Sequence, residues 1–226
     1  MSSSVSSLPT KDTATMSSAT PQQDYGWDSS LPTNSVEYCL NAIKRVLTEH
    51  GCQSVLDVGC GNGAMSGRLK SLGFNMTAIE PDKQGFEIAK KSYPDVDFHH
   101  LGVYDDTTDL GTYDAVVSSE VIEHLYDPAA LPRLAARHLN DSDILVLTCP
   151  YYGYTKNLLL SLTDRWDDHH QPARVGGHIK LWSHQSMRTF LHSEGFEVLK
   201  LSGTGRFWPL WASMLVVARK QPETSR

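Results

Sequence analysis

The chain has 226 residues, a formal charge of -6 and 40% apolar residues, which is enough for one α/β domain with a sizeable core and too little for two ordinary domains. Its charges are interspersed and form no basic stripe able to track a phosphate backbone, which argues against nucleic acid as a partner. The four cysteines, Cys39, Cys52, Cys60 and Cys149, form no CxxC pair or disulfide framework, and no apolar run reaches the roughly 18 to 20 residues of a membrane span; both point to a soluble protein of the reducing cytosol, with no membrane span.

Residues 1 to 23 are crowded with Ser, Thr and Pro, have almost nothing to bury, and are expected to be disordered. The stretch is Ser-rich and acid-poor like a transit peptide, but Lys11 is its only basic residue and no Arg-rich amphipathic pattern is present. Residues 24 to 226 are expected to form the single domain. Asn34 or Ser35 can cap a first helix whose apolar positions Val36, Leu40, Ile43, Val46 and Leu47 fall at helical spacing and which ends near Gly51. "SVLDVGC" then reads as a buried parallel strand, "GNGAMSGRLKSLG" as a loop feeding a helix, and "NMTAIEPD" as a second strand. A helix over 83 to 92, strands at "DVDFHHL" and "YDAVVSS", a helix around 128 to 139 and a fifth strand at "DILVLTCP" follow. Strand and helix in alternation predict a doubly wound α/β sheet with helices on both faces.

After Pro150 the rhythm changes. Residues 151 to 182 are rich in aromatics, His and Asp, with one short helix expected at 155 to 163; a long segment at the carboxyl end of a parallel strand is where such folds place a substrate cover. Ser183 caps a helix to about Glu194, and "FEVLKLSG" and "WASMLVVARK" are expected to pair as a hairpin at the edge of the sheet.

Two features carry chemistry before any family enters. The loop "LDVGCGNGAM" sets Gly59, Gly61 and Gly63 between a strand and a helix amino end, where the backbone can approach a ligand and free N–H groups favour an anionic group. Gly59, Gly61 and Ala64 also satisfy the GxGxxA form of a dinucleotide fingerprint, so an NAD(P)-dependent oxidoreductase stays open at this point. Glu80, at the end of the second strand, is placed to accept the two hydroxyls of a ribose. Asp57 stands where a nicotinamide-binding strand is normally apolar and argues for a nucleoside bearing an amino-acid moiety.

The second feature is "SSEVIEHLYDP" after the fourth strand. On a first helical turn Glu120, Glu123 and His124 would share one face at spacing i, i+3 and i+4, able to hold one cation, while Pro128 would start the next helix. The alternative is a helix amino end favoured by acids, with His124 packed against the sheet or bonded to a loop. "DRWDDHH" is a poorer metal candidate, because consecutive ligands do not converge from a regular element.

Taken together, "VLDVGCGNG", "IEPD", "YDAVVSSEVIEHLYDP" and a strand ending "LTCP" resemble the class I S-adenosylmethionine-dependent methyltransferases over about residues 34 to 219. Glu123, His124 and Pro128 are similar to the EHxxxP signature of the ubiquinone-biosynthesis O-methyltransferases, and "GGHIKLWSHQSMRTFLHSEGFEV" to that family's His-containing stretch. The resemblance implies a Rossmann-like sheet of seven strands, mostly parallel with a reversed final strand. It implies S-adenosylmethionine contacts at Gly59, Glu80 and Ser119, with Asp57, Gly61, Pro81 and Asp82 lining the same pocket and Asp105, or its neighbours Val103 and Tyr104, near the adenine. It further implies Mg²⁺ on Glu120, Glu123 and His124. The chain departs from the family before the glycine loop, where the family's cofactor-contacting Arg is not found, and over its own segment 151 to 177.

An oxygen acceptor must lose a proton, to a general base or with a metal that lowers its pKa. His178, with glycines on its amino side, and His124 are the candidate catalytic residues, ahead of His169 and His170. The aromatics of the late segment, Trp166 and Trp182 foremost, suggest a pocket for a ring. The expected function is methyl transfer to a small aromatic or hydroxylated acceptor at oxygen, with nitrogen or carbon as the alternative acceptor atom.

Overall fold

In a computed structural model, residues 26–170, 176–208 and 210–221 are described; the expected tail over 1 to 23 lies outside them. Helix α1 spans Asn34–Glu49 and is followed by β1 (Ser54–Val58), α2 (Ala64–Ser71), β2 (Asn75–Ile79), α3 (Lys83–Ser92) and β3 (Asp97–His99). Then come β4 (Ala115–Ser119), α4 (Ala130–His138), β5 (Ile144–Pro150), α5 (Tyr154–Leu162), α6 (Trp166–His170), α7 (His184–Ser193), β6 (Phe196–Thr204) and β7 (Ser213–Lys220). The strands form one sheet of seven in the order β3-β2-β1-β4-β5-β7-β6. β7 runs antiparallel to both β5 and β6, and the pairs among β1 to β5 are parallel. The doubly wound sheet with one reversed strand is therefore present, and the expected hairpin places β7 inside the sheet and β6 at its edge.

Burial on both faces explains why these strands read as unbroken apolar runs: every residue of β5, Ile144 to Pro150, is buried. One core layer joins Ile43 and Leu47 of α1, Leu69 of α2 and Ala89 of α3 to Val55, Val117 and Val146 of the sheet. The opposite layer joins Leu131 and Leu134 of α4 and Met187 and Leu191 of α7 to Leu56, Val116 and Leu145. Ser183 caps α7 through a reciprocal pair with Ser186, as its place in the sequence implies. The four cysteines are free and buried. Among the described residues no helix is long and apolar enough to cross a membrane.

Strand order reverses between β1 and β4, and in open α/β sheets that switch point opens a crevice at the carboxyl ends of the strands. The glycine loop, Glu80 and the segment after β4 all leave the sheet there.

Two local expectations change. The segment after β4 does not become a helix: Glu120 takes a left-handed backbone (φ 58°), Ile122–His124 form a single 3-10 turn, and α4 begins only at Ala130. Glu120, Glu123 and His124 thus do not share a helical face, and Pro128 lies in the turn before the helix. A second short helix, α6, occupies part of the segment after β5 expected to be loop.

Candidate active site

Gly59, Gly61 and Gly63 all have positive φ (77°, 57° and 78°), which glycine adopts without the steric cost of a side chain. A Cβ on Gly59 would stand 2.6 Å from Val121 Cγ2, so the Val121 side chain of the segment after β4 fills the space a side chain on the glycine loop would need. A Cβ on Gly61 would meet the Trp27 ring at 2.4 Å. Trp27 belongs to a strap that precedes α1: the Asn62 amide donates to the carbonyls of Ser29 and Leu31, both at 2.8 Å, and the Tyr93 hydroxyl donates to that of Ser30.

Glu80 is 4% exposed. Its carboxylate accepts the Gly61 N–H at 2.7 Å and the Asp82 N–H at 2.8 Å, tying the glycine loop to the end of β2. Burial pushes its pKa up to about 7. Asp57, also buried, turns toward α2 and accepts the Ser66 hydroxyl, and burial raises it to about 6. Asp82 caps α3 by accepting the Gly85 N–H at 2.7 Å, which commits one of its oxygens to the helix. Pro81 is exposed and packs on Gly102, whose N–H donates to exposed Asp105 at 2.7 Å, while Val103 is buried behind them. Ser119 is half-buried, its hydroxyl 2.8 Å from that of Thr148.

The second half of the site forms where the late segment folds back. The Ile179 and Lys180 N–H groups both donate to the Glu123 carbonyl, at 2.9 and 3.0 Å, pinning the "GGHIK" stretch to the turn after β4. His124 Nδ1 lies 3.2 Å from the Gly177 carbonyl, and the His124 and His178 rings meet edge to face at 5.0 Å. His178 Nδ1 is hydrogen-bonded to the Tyr152 hydroxyl at 2.9 Å. The Glu123 carboxylate is fully buried, both of its oxygens lack a hydrogen-bond partner, and burial together with the charge of Glu120 holds its pKa well above the usual carboxylate range. Among the described residues, ligand atoms of Glu123, His124 and His178 lie within 4.8 Å of one another, and these three form the group able to hold a metal ion. Buried carboxylate oxygens that accept no hydrogen bond and have only His124 Nε2, 3.8 Å from Oε1, as an ionic neighbour fit a cation. His178 thus takes the place in this group expected for Glu120.

Glu120 instead faces an adjoining cavity of about 210 Å³, where burial raises it to about 7. Its strained backbone is of a kind that persists where surrounding structure fixes it, commonly at functional sites. Tyr38, Tyr152, Lys156, His169 and Arg206 line the cavity with it. The ring-bearing wall is therefore Tyr38 and Tyr152. Trp182 is buried against Phe190 in the core, and Trp166 is 41% exposed and packs at a tilt against the His170 ring. Tyr38, Lys156, Arg206 and the Trp27 strap escape the sequence reading; the one signal for Lys156 is a lone cation in the apolar helix "YTKNLLLSL".

A family model described as "Methyltransferase domain" matches residues 26–201. A ubiquinone biosynthesis O-methyltransferase of Xanthomonas oryzae pv. oryzae is 36% identical over 131 residues, covering 54% of each chain. The chain spans about half the length of the curated relatives it matches. Among solved structures, magnesium protoporphyrin IX methyltransferase of Synechocystis PCC 6803 with bound S-adenosylhomocysteine superposes with a TM-score of 0.64 at 16% identity, covering 83% of this chain and 84% of that one. The 1,6-didemethyltoxoflavin-N1-methyltransferase of Burkholderia thailandensis gives 0.61 at 14%, covering 81% and 79%. At these identities the structures speak for the fold alone, and their acceptors differ. With a model match over most of its length and a glycine loop, buried Glu80 and reversed β7 in place, the chain belongs to the methyltransferase domain family and has the fold of the class I S-adenosylmethionine-dependent methyltransferases.

Proposed function

We propose that the protein transfers a methyl group from S-adenosylmethionine to a hydroxyl of a small aromatic acceptor. The observation that carries the oxygen assignment is the buried Glu123 carboxylate, which accepts no hydrogen bond and stands with His124 and His178 in one group of possible metal ligands, because nitrogen and carbon acceptors do not need such a group. The curated relatives named for O-methylation support it.

In this reading Glu80 receives the ribose hydroxyls, and Gly59 and Gly61 let the backbone pass close to the rest of the cofactor. Ser119 and Asp57 lie at the strand ends beside it, with Asp105 and Val103 on the adenine side. A divalent cation such as Mg²⁺ held by Glu123, His124 and His178 would lower the pKa of the acceptor hydroxyl. Without the cation, His178, hydrogen-bonded at Nδ1 to the Tyr152 hydroxyl, would itself take the acceptor's proton at its other ring nitrogen. The described residues between 151 and 182 would serve as the cover that excludes water, and the displacement is otherwise a matter of positioning, since the sulfonium is an activated donor.

The test is mass spectrometry of the products formed from S-adenosylmethionine and a set of phenols, catechols, anilines and thiols, with and without a chelator. Transfer to a phenolic oxygen, reduced by the chelator and by Glu123→Gln, is expected. Transfer to nitrogen alone, or full activity of Glu123→Gln in chelator, would overturn the oxygen and metal assignments respectively.

A further inference from the structure

Tyr152 is buried, and its hydroxyl lies 2.9 Å from His178 Nδ1. Its ring is held from several sides. It stacks on His170 of α6 with centroids 5.3 Å apart, meets His169 edge to face at 6.1 Å, and has the Lys156 Nζ of α5 5.6 Å from its centroid. Its N–H donates to the Trp182 carbonyl at 3.0 Å, and its carbonyl accepts from the Asn157 amide at 3.3 Å. A buried tyrosine usually finds a partner for its hydroxyl. Here that partner is a member of the candidate metal group.

The two histidines of the group are oriented by different partners. His124 Nδ1 lies 3.2 Å from the Gly177 carbonyl, which can only accept, so the neutral ring carries its proton on Nδ1 and keeps a lone pair on Nε2, 3.8 Å from Glu123 Oε1. His178 Nδ1 instead meets a hydroxyl, which can donate or accept. Only when the hydroxyl accepts does His178 match His124, with its proton on Nδ1 and a lone pair on Nε2. We propose that Tyr152 is a positioning residue: its hydroxyl accepts the Nδ1–H of His178 and fixes the ring in the tautomer whose Nε2 can hold a cation or receive a proton. The proposal rests on the role given to His178 in the proposed function. Tyr152 itself stands outside the motifs that carry the family resemblance, in the segment where the chain departs from it.

The arrangement joins two parts of the molecule. Residues of α5 and α6 grip the Tyr152 ring, while the Ile179 and Lys180 N–H bonds to the Glu123 carbonyl pin the His178 backbone to the turn after β4. The hydroxyl–imidazole bond is where the two meet, so the packing of α5 and α6 reaches the candidate metal group through one oxygen. A second partner of this kind orients a ligating histidine, and its removal typically costs about 10- to 100-fold in metal affinity. The rival role for Tyr152 is to pack and to satisfy its own buried hydroxyl. That role predicts a loss of stability and leaves both the His178 tautomer and the metal affinity unchanged.

The experiment uses the full chain and two readouts other than activity. Long-range proton–nitrogen NMR of the metal-free protein at pH 8, with His178→Gln identifying the resonances, should find the His178 proton on Nδ1. In Tyr152→Phe, which keeps the ring and removes only the hydroxyl, that proton should move in whole or in part to Nε2. Titration with Mn²⁺, the free ion counted by electron paramagnetic resonance, should show binding about 10- to 100-fold weaker in Tyr152→Phe than in the wild type. The same substitution made in His178→Gln should cost less than about twofold, because the residue through which it acts is gone. A wild-type proton on Nε2, a tautomer unchanged in Tyr152→Phe, equal Mn²⁺ affinity of the two proteins, or an equal loss in both backgrounds would overturn the proposal. A wild type that binds no Mn²⁺ would retire the metal group of the proposed function, and the tautomer, read without metal, then decides for or against Tyr152.

Discussion

Glu80→Gln isolates the part of the cofactor site that is best defined. The substitution keeps the shape of the side chain and removes its charge. In the folded protein the carboxyl pKa lies at about 7 against an ordinary value of 4.5, because burial disfavours the anion. Between those values the folded state holds a proton that the unfolded state has lost. The stability from this group is therefore fully present below pH 4.5 and is lost as pH rises through about 7. The full slope is about 1.36 kcal/mol per pH unit, but the unfolded carboxyl is still partly protonated at pH 5 and the folded one half titrated at pH 7, so the loss over that interval integrates to about 2 kcal/mol. Gln does not titrate, so Glu80→Gln should gain about 2 kcal/mol relative to wild type from pH 5 to pH 7, whatever its offset at pH 5. Asp57, raised to about 6, titrates in both proteins and cancels.

The offset itself is set by hydrogen bonds. The carboxylate accepts from both Gly61 and Asp82, whereas the Gln amide can accept from one and points a donor at the other. An unsatisfied buried N–H costs about 1–3 kcal/mol. The assay is urea unfolding at pH 5, 6, 7 and 8 without cofactor, together with calorimetry of S-adenosylhomocysteine binding at pH 8. Ribose hydroxyls donating to the carboxylate should make wild-type binding about 10- to 100-fold tighter than that of the variant. Parallel pH slopes for the two proteins, or affinities within twofold, would refute the assignment of Glu80 as a buried, titrating ribose acceptor.

Glu123→Gln removes a fully buried carboxylate whose oxygens accept no hydrogen bond, so the cofactor-free protein should melt higher at pH 8, by about 2–4 °C for each kcal/mol recovered. The rise in melting temperature that excess Mg²⁺ gives the wild type should vanish; a variant that melts lower and still responds to Mg²⁺ contradicts the metal group. Gly61→Ala places a Cβ 2.4 Å from the Trp27 ring and an alanine at φ 57°, a left-handed conformation costing about 1–2 kcal/mol. In a Trp27→Ala background the penalty should fall to that backbone part, read by urea unfolding of the four proteins; an equal penalty in both backgrounds would mean that the strap does not press on the loop.

The sheet was legible because its signals are local. Buried runs such as Ile144 to Pro150, glycine punctuation and the Ser183 cap each act within a few residues. Glu80 was legible for the same reason, since its place at the end of a strand follows from the strand. The turn after β4 was not. Its residues suit a helix amino end, and only tertiary contacts hold them otherwise: the Glu120 N–H continues the ladder to Thr148 at 2.9 Å, and the Glu123 carbonyl is taken by Ile179 and Lys180. The grouping of His178 with Glu123 and His124 spans more than fifty positions and depends on those same bonds. Trp182 misled because polar neighbours in sequence say nothing about Phe190, against which it packs. Lys156 and Trp27 are invisible to periodicity altogether, since each matters only for what it covers.

The charges at the sheet's carboxyl edge connect the two halves of the site. Asp57, Glu80, Glu120 and Glu123 all have pKa values raised chiefly by burial, and they flank the ends of β1, β2 and β4. A domain selected only for stability would replace such acids with apolar residues of similar size, which is often neutral or stabilising. Burial disfavours their anions, so this edge is a cluster of carboxyl groups that a positive charge would drive to ionise. A sulfonium donor carries that charge, and so does a divalent cation on Glu123, His124 and His178. Methyl transfer turns the sulfonium into a neutral thioether, so on the proposed function the reaction itself removes part of what the buried acids attract. The same electrostatics that draw the donor in then weaken the hold on the spent cofactor, and they do so only after the methyl group has left.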